Sequence, residues 1–166
     1  MEVNSGIFKA YDIRGAYPSE INEKAVYKIG QAFVRFSKAK QVLVGRDMRF
    51  SSESLSSSLI KGINSQGAGV LNIGLCSTPA FYFASAICAT GSALMVTASH
   101  AGKEFNGLKP TLAGNFPLSR EKVKELKNVV ASREYGLISD KETVGRKSIS
   151  RPYIDAVRSF IKNKFK

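Results

Sequence analysis

The sequence predicts an α/β domain built on a largely parallel sheet. Three observations carry this. Segments with apolar residues at steps of three and four alternate with short, apolar, β-branched runs. The chain has 166 residues, enough for one domain with a core of useful size. Apolar residues make up 43% of it and charged residues 23%, the balance of a globular chain and not of a disordered one.

Each element follows in order. Ile21, Ala25, Val26, Ile29, Ala32, Phe33 and Phe36 line one face of a first helix. Val42-Leu43-Val44, closed by Gly45, predicts a strand buried on both faces. Ser51 and Ser52 open a second helix with Leu55, Leu59, Ile60 and Ile63 on one side. A second strand covers 70–73 and ends at Gly74. Thr78 is expected to cap a third helix, with Pro79 at its first position, running through Phe83, Ala84, Ile87 and Cys88 to Gly91. A third strand covers 93–96. A fourth is expected over 108–112, at a sheet edge because Pro110 lacks an amide hydrogen. Ser119 caps a helix that turns Val123, Leu126 and Val130 inward. Residues 132–151 read as a polar loop or linker. Arg151-Pro152 marks a boundary, and a basic amphipathic helix resumes over 153–165 with Ile154, Val157, Phe160 and Ile161.

In such a fold the carboxyl ends of the parallel strands share one edge, where functional groups collect. The loops reaching that edge begin at Gly45-Arg46-Asp47, Gly74-Leu75 and Thr97-Ala98-Ser99-His100.

Composition narrows the function. Twenty-five Lys and Arg against 13 Asp and Glu leave a net charge of +12. From Arg146 onward stand seven basic residues and one acid, Asp155, so half the excess lies in the last 21 residues. A mildly basic domain with a basic end fits this better than a uniform nucleic-acid-binding face, so a nucleic-acid partner is disfavoured. A single histidine excludes a His-rich metal site. Cys76 and Cys88 lie in apolar stretches and read as buried, reduced thiols, which suits a cytoplasmic location. The opening MEVNSGIFKA has no basic, apolar leader pattern, and no apolar run suggests a membrane span.

Three clusters could carry chemistry. Thr97-Ala98-Ser99-His100 is followed by Asn106-Gly107-Leu108-Lys109. Small neighbours would let a ligand approach Ser99, Asn106-Gly107 is a turn signal, and Lys109 could swing back toward Ser99 after the reversal. A serine nucleophile needs a base or an electrophile, and His100 and Lys109 are the candidates. Adjacent residues seldom form a nucleophile–base pair, and no Gly-x-Ser-x-Gly elbow occurs, which argues against a serine hydrolase. On spacing alone a loop serine bonded to local backbone is equally open for Ser99, while a packed or surface histidine and a solvated strand-end lysine are the favoured readings of His100 and Lys109. In Tyr11-Asp12-Ile13-Arg14-Gly15, Arg14 before a glycine turn is either an anion clamp or the ion-pair partner of Asp12. In Gly45-Arg46-Asp47-Met48-Arg49, a structural role is favoured: Asp47 caps the helix while Arg46 and Arg49 pair with acids.

These three motifs, in this order, resemble those of the α-D-phosphohexomutases, the phosphomannomutase/phosphoglucomutase family. The likeness spans nearly the whole chain and is to the first of that family's four domains. It implies a three-layer domain with a mostly parallel mixed sheet between helices. It implies that Ser99 carries a phosphoryl group and donates it to a hexose phosphate. A bisphosphate intermediate then returns its other phosphate, so phosphate moves between the 1- and 6-positions. By the same resemblance Lys109 assists proton movement and neutralises charge, Arg14 is catalytic, Tyr11, Arg14 and Lys109 bind substrate, and His100 orients groups or moves a proton. Mg²⁺ would touch Ser99 only through its phosphate.

The chain departs from the family pattern in having Ala101-Gly102 where Asn-Pro is common. The family's Asp-Gly-Asp-x-Asp-Arg metal loop, Gly-Glu-x-Ser-Gly-His sugar loop and last phosphate-binding loop do not occur in these 166 residues. Residues 1–145 are therefore expected to form the phosphoserine domain, and 146–166 a basic linker and helix leading toward a second domain. The remaining mutase domains are expected partners, and the isolated chain is expected to be inactive. The alternative is a stand-alone, non-catalytic module whose basic end binds an anionic partner.

Overall fold

The computed structural model describes residues 3–112, 116–132 and 135–161. A six-stranded mixed sheet lies between two helical layers. The strands are β1 (Ile13–Ala16), β2 (Gln41–Arg46), β3 (Gly69–Leu75), β4 (Ala93–Val96), β5 (Phe105–Thr111) and β6 (Val144–Arg146). Their order across the sheet is β1-β5-β4-β2-β3-β6. β5 runs antiparallel to both its neighbours, and the remaining pairs are parallel.

Period-two alternation builds both cores. Val42, Val44, Leu94, Val96 and Leu108 face a layer of α1 (Glu23–Ser37), α2 (Ser52–Asn64) and α4 (Arg120–Ser132). Leu43, Ala93 and Met95 face α3 (Thr78–Ile87), and Ile149, just before α5 (Ser150–Ser159), joins that cluster. The first helix keeps its stripe: Val26, Ile29, Ala32 and Phe33 are fully buried. Each large side chain so buried contributes about 1.5–3 kcal/mol. α1 and α2 touch through backbone at Gly62, where a Cβ would stand 2.2 Å from the Tyr27 carbonyl oxygen.

Several expectations are corrected. Residues 13–16 form a strand, so Arg14 stands on β1 and not in a turn. Asn106 and Gly107 lie inside β5 and make no reversal. β5 is interior to the sheet, yet Pro110 is tolerated. Its carbonyl accepts from the Leu118 amide at 3.3 Å, on the side away from β4. β1 pairs only with residues 105–108, so proline's missing hydrogen removes no ladder bond. Ser77, not Thr78, caps α3, accepting from the Ala80 amide at 3.3 Å.

The stretch expected to be a linker contains β6, which pairs with β3, and the division at 145/146 falls inside that strand. α5 begins at Ser150, three residues before the expected Tyr153 start. Pro152 fits its first turn, where amides have no intrahelical partner. Phe83 and Tyr153 meet with ring centroids 5.6 Å apart, holding α5 on α3. The expected helical residues 162–165 lie outside the described residues. Both cysteines are free and half-buried, where full burial was expected. Among the described residues no helix is long and apolar enough to cross a membrane.

Candidate active site

The site is built at the carboxyl edge of the parallel strands. β4 ends at Val96, and the chain turns through residues 97–104 before re-entering the sheet as β5. Ser99 sits at the top of this loop with φ +57°, the left-handed region that costs a residue with a Cβ of order 1–2 kcal/mol. Its amide donates to the Thr97 hydroxyl oxygen at 2.9 Å. The Ala101 amide donates to the Ala98 carbonyl at 3.1 Å, and that of Phe105 to Gly102 at 3.1 Å. Ser99 and His100 are exposed, and neither side chain has a hydrogen-bond partner among the described residues. The pair is therefore no dyad in this structure.

What holds the loop is Arg49. Its guanidinium donates to four loop carbonyls: Ser99 at 2.9 Å, Ala101 at 2.7 Å, Gly102 at 2.6 Å and Phe105 at 3.0 Å. Its Nε meets Asp47 at 3.2 Å. Asp47 in turn accepts from the Arg49 amide at 3.1 Å and from the Ser52 hydroxyl at 2.5 Å. Fully buried Asn106 donates to the Ser51 and Ser52 hydroxyl oxygens at 2.8 and 3.0 Å, tying β5 to the start of α2. The expected acid pairing of Arg49 is present, and Arg46 meets Glu53 at 3.3 Å. The four-carbonyl cage was not foreseen. Asp47 buttresses this turn and does not cap α2, whose N-cap is Ser51. The Arg49 cage also accounts for an ordered loop with Ala101-Gly102 in place of Asn-Pro.

The cationic groups gather lower on the sheet, around Asp12. Arg14 donates to its carboxylate at 2.6 Å, and the Lys109 ammonium stands 3.6 Å from the same oxygen. Two cations thus share one carboxylate whose side chain is only 11% exposed. The Arg14 Nε is buried without a partner. Tyr82 of α3 feels this cluster: burial, and then the Asp12 charge, raises its hydroxyl pKa. Register explains the meeting. Arg14 opposes Gly107 and Lys109 opposes Met95, so Asp12, Arg14 and Lys109 share the α3 face. Gly107 permits it, because a Cβ there would lie 2.0 Å from the Ile13 carbonyl oxygen.

The structure therefore joins Arg14 to Lys109 and places Ser99 beside His100. Among the described residues no hydrogen bond joins Lys109 to Ser99, and the Lys109 ammonium pairs with Asp12. Tyr11 stands exposed on the turn between Phe8 and Ile13 and contacts neither group. A cavity of about 480 Å³ opens beside Ser99, with Arg49 and Ala101 in its wall and exposed Met48 and Phe50 at its rim.

Residues 5–136 match the family model for phosphoglucomutase/phosphomannomutase, alpha/beta/alpha domain I. The chain belongs to this family. It is 33% identical over 161 residues to a phosphomannomutase of Salmonella montevideo, covering 95% of this chain and 35% of that protein. A Klebsiella pneumoniae phosphomannomutase is 34% identical over 151 residues, covering 89% of this chain and 96% of its own length. The crystal structure of a phosphoglucomutase/phosphomannomutase family protein from Burkholderia thailandensis superposes with a TM-score of 0.83. It is 28% identical, over 99% of this chain and 38% of that one. The chain spans about a third of the first of these phosphomutases, and corresponds to the family's domain I.

Proposed function

We propose that Ser99 is the phosphoryl carrier of a phosphomutase that moves phosphate between the 1- and 6-positions of a hexose phosphate. The P–O bond to Ser99 breaks as a sugar hydroxyl oxygen forms its own bond to phosphorus, and the hydroxyl proton ends on the departing Ser99 oxygen. The resulting bisphosphate turns over and returns its other phosphoryl to the Ser99 oxygen. The observation that carries this is the loop: an exposed serine with an unpartnered hydroxyl, held in a left-handed conformation at the sheet edge by Arg49. Catalysis of phosphoryl transfer is mostly positioning and charge stabilisation, and a clamped loop supplies the first.

The other residues take roles from their surroundings. Arg14 and Lys109 outweigh Asp12 by one charge and supply a cationic floor for substrate phosphate. His100, exposed and unpartnered, orients the transferred group or moves its proton. Tyr11, at a solvent-facing turn, contacts substrate. Among the described residues no group of three His, Cys, Asp or Glu could hold a metal. The donor set here does not by itself fit a Mg²⁺ site. Mg²⁺ would be held by an oxygen of phosphorylated Ser99 together with acids from outside this chain.

The partners that follow are a hexose phosphate and the remaining mutase domains. Turnover of glucose 1-phosphate and mannose 1-phosphate by the purified 166-residue chain tests that division of labour. No turnover is expected, and robust turnover would overturn it.

A further inference from the structure

We propose a second, separate site at the same sheet edge: a phosphate-binding cavity between α2 and the ends of β2, β3 and β6, formed by Arg46, Arg146, Lys147 and Ser56. It lies on the far side of β2 from the Ser99 loop, because the sheet order places β2 between β4 and β3. Its volume is about 560 Å³.

Charge is the first argument. Arg46, Arg146 and Lys147 line the cavity against a single acid, Glu53. Arg46 is only loosely engaged, at 3.3 Å from both Glu53 and the Asp47 carbonyl. The side chains of Arg146 and Lys147 have no partner among the described residues. Three cations against one carboxylate leave the cavity with a net positive charge that attracts an anion.

The second argument is independent of charge. Ser56 lines the same cavity and is only 7% exposed, yet its hydroxyl has no hydrogen-bond partner among the described residues. Neighbouring Ser57 satisfies itself on the Glu53 carbonyl at 3.0 Å, the ordinary solution for a helical serine. The Ser56 hydroxyl opens into this cationic cavity, where it is free to donate to a bound oxygen acceptor. At the mouth, Gly74 has φ +68° and nothing within 4 Å of where a Cβ would be, so the backbone leaves room.

The shape selects a small ligand. Helix α2 walls one side, and the volume of about 560 Å³ is that of a small-molecule site. The ligand class is a phosphate dianion, free or carried as the monoester of a small molecule, since oxygen acceptors on all sides match guanidinium, ammonium and hydroxyl donors together. The Arg146 and Lys147 charges, which open the basic end of the sequence, gain a use that the Ser99 loop does not give them.

The test is ¹⁵N-resolved NMR titration of the 166-residue chain with inorganic phosphate and, separately, glycerol 3-phosphate. Saturating shifts at Ser56, Gly74 and Arg146 are expected, and the tighter ligand identifies the source of the phosphate. Replacing Arg146 and Lys147 together by Gln should weaken binding about tenfold or more, and Ser56→Ala about threefold. The proposal is overturned if neither ligand shifts these amides, or if binding is the same in the Gln and Ala variants while they keep the native spectrum. None of these outcomes depends on whether Ser99 carries phosphate.

Discussion

Arg49→Met removes the clamp while keeping most of the side-chain stem. Of the four carbonyls it releases, those of Ser99 and Gly102 are exposed and regain water cheaply. Those of Ala101 and Phe105 are partly buried. A hydrogen bond to a charged donor is worth about 1.5–3 kcal/mol, so the two partly buried ones set a loss of about 3 kcal/mol, taking the lower figure for each. The left-handed strain at Ser99 adds to the drive to open. Three kcal/mol corresponds to roughly a hundredfold rise in the open fraction of the loop. Amide hydrogen exchange reads this directly. The Ser99, Ala101 and Phe105 amides, each bonded within the loop, should exchange about a hundredfold faster, while core amides of β2 and β4 change far less. Arg49→Lys should behave like Met, because one ammonium cannot span four carbonyls. Unchanged exchange at those three amides in Arg49→Met would refute the clamp.

Other consequences are as concrete. Gly107→Ala forces a Cβ to 2.0 Å from the Ile13 carbonyl, so β1 must leave β5; a loss of about 3 kcal/mol or more in urea unfolding is expected. Burial raises the Cys76 thiol to about 11 from 9.0, so its thiolate at pH 8 is about a hundredfold scarcer and iodoacetamide should label it that much more slowly than an unperturbed thiol. At Glu23 burial works to raise the pKa, but bonds from the Ser54 hydroxyl, its own backbone and the Tyr17 hydroxyl outweigh it and lower the carboxyl. The lowered group stabilises the fold above the ordinary carboxylate pKa of about 4.3, and that contribution fades as pH falls through the lower folded value. Thermal melts of Glu23→Gln should therefore lose stability at neutral pH and show a weaker acid dependence than the parent chain.

The elements with strong periodicity were legible in the sequence, and physics explains the ones that were not. Helix α1 and strands β2 and β4 each bury a whole stripe or both faces, so apolar pattern alone marks them. β1 is four residues long and carries Arg14 and Gly15, both placed by contacts with β5 that lie far along the chain. β6 is exposed along its length and owes its existence to one neighbour, so it has no apolar signature. Pro110 misled because its penalty depends on which edge of the strand is paired at that residue, a fact of register. At the site, Ser99, His100 and Lys109 stood out as chemical types, but their mutual placement did not. Lys109 pairs with Asp12, an ion pair that nothing in the local sequence around either residue announces. Arg49 gave no local sign of its role, since the carbonyls it gathers are about fifty residues away in sequence.

The central claim is that Ser99 carries the phosphoryl group, and intact mass with peptide mapping tests it most directly. The chain is incubated with a hexose 1,6-bisphosphate and compared with Ser99→Ala. The account predicts the added mass of one phosphoryl group, mapped to Ser99 and missing from the variant. Phosphate on another residue, or equal labelling of the Ser99→Ala chain, would contradict it.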